Sequence, residues 1–344
     1  MNSQAIGNSM AKCILVAKLY MELLLEYRNL LEDYLKTRIV HKKPEQLYTP
    51  ISYIMELGGK RLRPFLTLMA AECFGASPKE ALSAATAVEL FHNFSLIHDD
   101  IMDDAPLRRG KATVHEKWDV NTGILSGDAM LILAYQHFEE YPPEVFQEMA
   151  KLFSKTALEV CEGQQYDVDF EIREEVAISE YITMISYKTA VLVGAALQMG
   201  AIVAKTSGQN KMNIYEFGRN LGIAFQLQDD YLDAFGNPET FGKQVGGDIL
   251  ANKKTFLYIK SLQEGSVEMK SSLKKWYETK KGPAEQKIAE VTEIFEASGA
   301  ARAIQQEIES YTQQAFEILD TIEMKDHYKE QLRQFGIWLM NRKV

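Results

Sequence analysis

LIHDDIMDD (residues 96–104) and FQLQDDYLD (residues 225–233) are the two stretches on which the fold and chemistry of this chain turn. Each sets an aspartate triplet of the same spacing at the end of an apolar run: Asp99, Asp100 and Asp103, then Asp229, Asp230 and Asp233, 130 residues later. Residues i and i+4 share a helix face, so Asp99 lies over Asp103 and Asp229 over Asp233. Like charges at that spacing weaken a helix unless a cation neutralises them. Oxygen-only clusters suit hard cations, above all Mg²⁺, which takes one or two carboxylates and completes its shell with substrate phosphates. Two such clusters facing each other would hold a metal-bound diphosphate. One alone reads equally well as a solvated acidic helix end; the repetition argues for chemistry.

Outward from these stretches the chain reads as helix after helix. Prolines number nine in 344 residues, and no useful length of β-branched alternation is present. Breakers fall at Gly58-Gly59, Gly75 to Pro78, Pro106 to Gly110, Pro142-Pro143, Ser207-Gly208, Gly236 to Pro238, Gly246-Gly247 and Gly282-Pro283. They leave room for helices of about 15–25 residues. Asp248 to Tyr258 is expected to begin another helix, and the charged stretch Glu264 to Glu293 to form surface helices. With no Ser/Gly- or Pro-rich linker, residues 11–344 are expected to form a single all-α domain, preceded by a possible leader at 1–10, with Met10 an alternative start.

The net charge of −10 (38 Lys and Arg, 48 Asp and Glu) argues against nucleic acid or anionic membrane as a general partner. The longest uncharged stretch, Thr189 to Ala204, is short for a bilayer span and reads as a central buried helix. Cys13, Cys73 and Cys161 are odd in number, far apart and without CxxC spacing, so buried free thiols in a cytoplasmic protein are expected.

Against the acidic background the basic groups stand out. GGKRLRP (58–64) places Lys60, Arg61 and Arg63 at a helix start, where Lys60 and Arg63 would share a face and could clamp a diphosphate, Arg63 through a bidentate fork. Arg108, Arg109 and Lys111 follow Asp103 closely; unless an anion binds there, they are surface salt bridges of little worth. Lys188-Thr189 precedes the apolar stretch, where a lone lysine commonly marks a helix end, and Lys243, Lys253 and Lys254 follow the second aspartate cluster. His92 lies seven residues before Asp99 on the same face, within reach of a phosphate. No covalent nucleophile pairing or zinc spacing is present.

Taken together in their order, these motifs make the chain resemble the trans-isoprenyl diphosphate synthases (polyprenyl synthetases), from about Leu30 to the C-terminus. The matching elements are DDIMD (99–103), FQLQDDYLD (225–233), GGKRLRP (58–64), RRG (108–110), KT (188–189), Gly163 to Asp167 as GQxxD, and Gly242-Lys243 with Asn252-Lys253. The resemblance implies a single all-α helical bundle around a deep central cavity, usually a homodimer. It implies that Asp99, Asp103 and Asp229 ligate Mg²⁺, three ions per active site, with Asp100, Asp230 and Asp233 in support. By the same resemblance Arg108, Lys188, Lys243 and Lys253 contact an allylic diphosphate, with Thr189 and Gln226 near it. Lys60, Arg63, His92 and Arg109 would hold the diphosphate of isopentenyl diphosphate. Gln244 to Gly247 makes the loop before Asn252 one residue longer than in some relatives, and Lys253 is preferred to Lys254 as the match.

The implied activity is Mg²⁺-assisted, head-to-tail condensation of isopentenyl diphosphate with dimethylallyl, geranyl or farnesyl diphosphate. In such families the residues four and five before the first aspartate help form the cavity floor. Here these are Ser95 and Phe94, with Phe91 beside them; Phe94 and Phe91 lie about 7.5 Å and about 12 Å from Asp99 along a helix axis. An aromatic at five with a small residue at four resembles the C20-forming members, so a C15 to C20 product, leaning to geranylgeranyl diphosphate, is expected. The alternatives are a terpene cyclase, which has no use for Lys60, Arg63 and Arg109, and a head-to-head condensing enzyme, whose aspartate motifs are spaced differently. A non-catalytic subunit of a two-component synthase would tend to lose the aspartates.

Overall fold

The computed structural model describes residues 23–38, 42–236, 245–279 and 282–340. The possible leader at 1–10, Cys13 and Lys243 therefore lie outside the described residues. The described chain is helical nearly throughout, as expected. The exception is a two-stranded antiparallel hairpin, Leu107–Arg108 with Lys111–Ala112. Arg109 and Gly110 at its tip have φ of 54° and 74°, the signature of a type I′ turn, which is why a glycine closes the RRG triplet.

Contacts divide the described residues into two compact units. The first runs to Ser154 and includes Ala195–Met212; the second comprises Lys155–Gly194 and the residues from Asn213 onward. In the first unit, helix Leu82–Met102 packs against Val120–Phe138 and Leu62–Cys73. Its entry is written in Ser77-Pro-Lys-Glu80, where Ser77 and Glu80 form a capping box around a short 3₁₀ turn with Pro78 at its start. From Leu82 to Phe91 every residue is buried, and the small Ala84, Ala85 and Ala87 let neighbours approach. Phe91, Phe138 and Phe153 pack edge-to-face at its core.

The second unit has its own apolar core, with Phe170, Ile223, Leu227, Phe256, Leu257, Phe295 and Ile304 among its buried members. Helix Phe256–Glu264 packs there against Ala300–Thr321 and Val267–Glu278. The helix expected from Asp248 to Tyr258 is instead two: Gly247–Leu250, then a turn through Asn252 (φ 58°), then Phe256–Glu264. The left-handed backbone at Asn252 interrupts the run.

Ile178–Val203 is, among the described residues, the one stretch long and apolar enough to cross a membrane, and 72% of its most apolar window is buried inside the protein. Lys188 does not mark a helix end. It lies in a π-helical turn, Ser186–Ala190, between Ile178–Ile185 and Val191–Val203. Of the cysteines, Cys73 is buried but Cys161 is exposed on helix Pro143–Ile172, contrary to the expectation of buried thiols; both are free.

Gly200 marks a close backbone approach within the first unit: a Cβ there would lie 2.3 Å from the Thr67 carbonyl oxygen and 2.7 Å from the Ala71 nitrogen. Gly200→Ala should therefore lower unfolding stability by about 1–3 kcal/mol, the cost of overpacking. Gly208→Ala, where a Cβ would meet nothing within 4 Å, should not destabilise. Urea denaturation of the two variants checks this; equal midpoints would contradict it.

Candidate functional site

In the first unit, backbone of unusual hand builds a basic cluster. Gly58, Gly59 and Arg61 have φ of 76°, 117° and 50°, so the chain turns sharply before helix Leu62–Cys73 begins. Lys60 thus precedes the helix and does not share a helix face with Arg63, contrary to the expectation from their spacing. A Cβ on Gly59 would lie 2.7 Å from the Arg109 guanidinium carbon, and Arg109 Nη1 donates to the Gly58 carbonyl. GGKR and RRG, 50 residues apart in sequence (Gly59 to Arg109), are therefore one structure.

Arg61 is spent internally. Its guanidinium donates to the buried Glu89 carboxylate and to the Met55 carbonyl, and Asn93 Nδ2 donates to Glu89 Oε1 at 2.9 Å. Arg63 points to His92, with Nη1 3.3 Å from Nε2. An arginine only donates, so Nε2 must accept and the ring is neutral, its proton on Nδ1. Burial first, then the charges of Arg63, Arg109, Arg108 and Arg61, hold the His92 pKa well below its ordinary value. Arg63 and Arg109 are likewise held below the usual arginine range by burial; Glu89 opposes this in both, while each feels further guanidinium charge. Positive charge is here concentrated beyond what Glu89 can balance, the condition an anion relieves.

Helix Leu82–Met102 ends at the first aspartate cluster. The Asp104 N–H donates to the Ile101 carbonyl at 3.3 Å and the Ala105 N–H to the Asp100 carbonyl at 2.9 Å, with Asp104 left-handed (φ 48°), a Schellman closure. Asp103 caps the helix, its N–H bonded to the Asp99 carbonyl at 2.9 Å, so the two share one turn as expected. Asp100 is buried and held by Arg108, whose Nε donates to Oδ1 at 2.8 Å and whose Nη2 lies 2.6 Å from the same oxygen. Arg108 Nη2 is also 3.9 Å from Asp99 Oδ2. Arg108 thus ties the hairpin to the aspartates. In the same helix Phe94 lies between Phe91 and His98, with ring centroids 5.5 Å and 4.8 Å away, and Ser95 Oγ donates to the His92 carbonyl at 2.9 Å. Phe91 is fully buried, a core residue.

In the second unit, Asp229, Asp230 and Asp233 occupy the last two turns of helix Gly208–Phe235. Both clusters therefore sit at helix C-termini, where the macrodipole adds negative potential to the carboxylates. Such ends repel anions and attract cations. Their all-oxygen donors, Asp99 with exposed Asp103 and Asp229 with Asp233, fit Mg²⁺. Asp230 is buried, accepts from the Tyr181 hydroxyl and from Gln226 Nε2 at 3.3 Å, and is raised well above the usual carboxyl range by burial and by Asp248. Thr189 Oγ1 donates to Gln226 Oε1 at 3.2 Å. Asp233 Oδ2 accepts from the Asp248 N–H at 3.0 Å.

The π turn presents Lys188 to Asp167, with Nζ 2.5 Å from Oδ2. Gly163 makes this possible: a Cβ there would lie 2.3 Å from the Lys188 nitrogen. Lys254 Nζ donates to the Phe170 and Glu171 carbonyls at 2.6 Å and 3.1 Å, closing a helix end, whereas Lys253 Nζ lies 3.9 Å from Asp248 Oδ1. Glu89, Tyr181 and Asp248 were not singled out from sequence as site residues. Glu89 had a readable signal, as the one charge in the first four turns of a buried helix; Tyr181 and Asp248 had none, because their roles depend on tertiary contacts.

Residues 44–295 match the family model described as polyprenyl synthetase. A short chain isoprenyl diphosphate synthase of Methanothermobacter thermautotrophicus is 35% identical over 324 residues, covering 94% of this chain and 98% of that one. A geranylgeranyl diphosphate synthase of Methanosarcina mazei is 43% identical over 226 residues, 65% of this chain and 69% of that one. A crystal structure of a geranylgeranyl pyrophosphate synthase, 54% identical, superposes with a TM-score of 0.90 over 93% of this chain and 99% of that one.

The neutral state of His92 has a stability consequence. Unfolded, the ring titrates near its ordinary 6.5; folded, its pKa is well below that. As pH falls below about 6.5, the unfolded chain takes up a proton that the fold refuses, so this group's contribution to stability is lost toward acid. His92→Asn should lose less stability than the unmutated protein between about pH 7 and about pH 5, measured by urea denaturation. Parallel losses would contradict the assignment.

Proposed function

Because this chain belongs to the polyprenyl synthetase family, we propose that it condenses isopentenyl diphosphate head-to-tail with an allylic diphosphate to make a short-chain all-trans prenyl diphosphate. The product is C15 to C20, with geranylgeranyl diphosphate preferred, in keeping with the names of the relatives. The observation that carries this reading is the guanidinium cluster of Arg63 and Arg109 around a neutral His92 in a chain of net charge −10. A terpene cyclase, which ionises one allylic diphosphate and condenses nothing with it, has no use for such a site.

Asp99, Asp103 and Asp229 are the proposed Mg²⁺ ligands, three ions in all, with Asp100, Asp230 and Asp233 holding the clusters in shape. Bound Mg²⁺ supplies charge neutralisation to the leaving diphosphate. Lys188, Arg108, Lys243 and Lys253 take the allylic diphosphate and stabilise the charge that develops on it as its carbon–oxygen bond breaks, with Thr189 and Gln226 alongside. Lys60, Arg63, Arg109 and His92 fix isopentenyl diphosphate so that its double bond meets the allylic cation. The proton lost on forming the new double bond passes to the departing diphosphate. No side-chain nucleophile is needed.

Phe94 and Ser95, with Phe91 behind them, limit the product. Exposed Val120, Ile124, Leu125 and Ile132 on helix Val120–Phe138 support a homodimer, and the polypeptide is assigned to the cytoplasm as one catalytic domain.

Labelled isopentenyl diphosphate with an allylic primer and Mg²⁺, followed by chromatography of the products, tests the proposal. A C20 product is expected, longer in Phe94→Ala, where the limiting ring is gone. Asp99→Ala and Asp229→Ala should each lose turnover almost completely, as should EDTA treatment, the latter reversed by Mg²⁺. Full turnover in Asp99→Ala, or unmutated-protein products of C30 or longer, would overturn the corresponding parts.

A further inference from the structure

Outside the machinery above, the turn after the first aspartate cluster brings a second set of metal-ligating atoms together. Asp104, His115 and Glu116 offer one carboxylate oxygen, one imidazole nitrogen and another carboxylate oxygen, all within 4.8 Å of one another. Asp104 holds the left-handed position of the Schellman closure, while His115 and Glu116 lie on the short helix Val114–Lys117 that follows the hairpin. The chain between them folds back on itself: Thr113 Oγ1 donates to the Ala105 carbonyl at 2.8 Å and the Thr113 N–H to the Pro106 carbonyl at 3.2 Å. The loop's two ends are thus brought together at the three ligands.

His115 is the independent sign that something binds here. Its side chain is 5% exposed, yet both ring nitrogens are buried without a hydrogen-bond partner. The nearest carboxylate oxygen, Glu116 Oε1, is 3.8 Å from Nε2, too far for a hydrogen bond. A buried imidazole with both nitrogens unsatisfied is costly, and a native structure normally supplies a partner, protein, water or ion. Asp104 and Glu116 are exposed, so their carboxylates have freedom to close on an ion at the usual distance of about 2.0–2.2 Å.

We propose that Asp104, His115 and Glu116 bind one divalent first-row transition ion, of which Zn²⁺ is the probe of choice, as a clip across the base of the hairpin. One imidazole with two carboxylates suits a borderline ion and sets this site apart from the all-oxygen aspartate clusters, which favour Mg²⁺. The clip ties the turn after Asp103 to the helix after the hairpin, and so holds the loop that carries Arg108 and Arg109. It is not part of the bond-forming chemistry, and it stands or falls independently of the prenyl-transfer proposal.

The test is Zn²⁺ binding by the full chain in competition with a chromophoric chelator, at excess Mg²⁺ to occupy the aspartate clusters. One more equivalent of Zn²⁺ is expected in the unmutated protein than in His115→Gln, and Glu116→Gln, altered only at an exposed side chain, should bind that equivalent at least tenfold more weakly. Zn²⁺ should raise the melting temperature of the unmutated protein and not that of His115→Gln. With Mn²⁺ as the ion, electron spin echo modulation should show coupling to imidazole nitrogen that His115→Gln abolishes. Both variants should retain Mg²⁺-dependent turnover. Equal Zn²⁺ stoichiometry in the unmutated protein and His115→Gln, or unchanged affinity in a folded Glu116→Gln, would overturn the proposal.

Discussion

Like charge held close to like charge is the constraint on which the rest depends. An acidic chain that gathers Arg61, Arg63, Arg108 and Arg109 near one another, and aspartates in two triplets, must hold each set against its own repulsion. The means are specific. Glu89, buried in helix Leu82–Met102, takes up Arg61, and Asn93 fixes that carboxylate. Arg108 neutralises the buried Asp100 through two donated hydrogen bonds, beside Asp99 and Asp103 in the same cluster. Removing one partner of such a buried pair is far more damaging than removing both, because it strands a desolvated charge. What remains after these internal pairings, a surplus of guanidinium around a neutral imidazole, is suited to a doubly charged phosphate group.

The second unit meets the same demand with different parts. Tyr181 and Gln226 donate to the buried Asp230, and the Asp248 N–H donates to Asp233. Lys188 is brought to Asp167 by a π turn that inserts one residue's worth of rotation into an otherwise continuous helix. Such bulges re-aim side chains and are frequent at functional positions. The bare face of Gly163 lets the turn press against helix Pro143–Ile172, so the GQxxD and KT motifs make one packing arrangement.

Much of this was legible in the sequence. The aspartate spacing and the Gly and Pro breakers are local signals, and the helices, their ends and the shared turn of Asp99 and Asp103 follow from them. The all-α class was readable for the same reason. The hairpin was not: two residues per strand are too few for periodicity, and Arg109 at positive φ is a rare choice that no propensity announces. Helical spacing does not carry from Lys60 to Arg63, because Arg61 between them is left-handed (φ 50°) and the helix begins only at Leu62. The π turn that keeps Lys188 inside a longer helical run was not readable, because such a turn has no sequence signature. Tyr181 and Asp248 were invisible since their roles depend on tertiary contacts, as does the capture of Lys254 by the Phe170 and Glu171 carbonyls.

The proposed function requires the arginines around His92 to form a diphosphate site distinct from the one the aspartates serve. Steady-state kinetics of Arg63→Ala, with each substrate varied in turn at saturating levels of the other, tests it most directly. Loss of one charge-assisted contact, about 1.5–3 kcal/mol, should raise KM for isopentenyl diphosphate roughly 10- to 150-fold and leave KM for the allylic diphosphate unchanged. An equal rise for both substrates, or for the allylic one alone, would contradict the account.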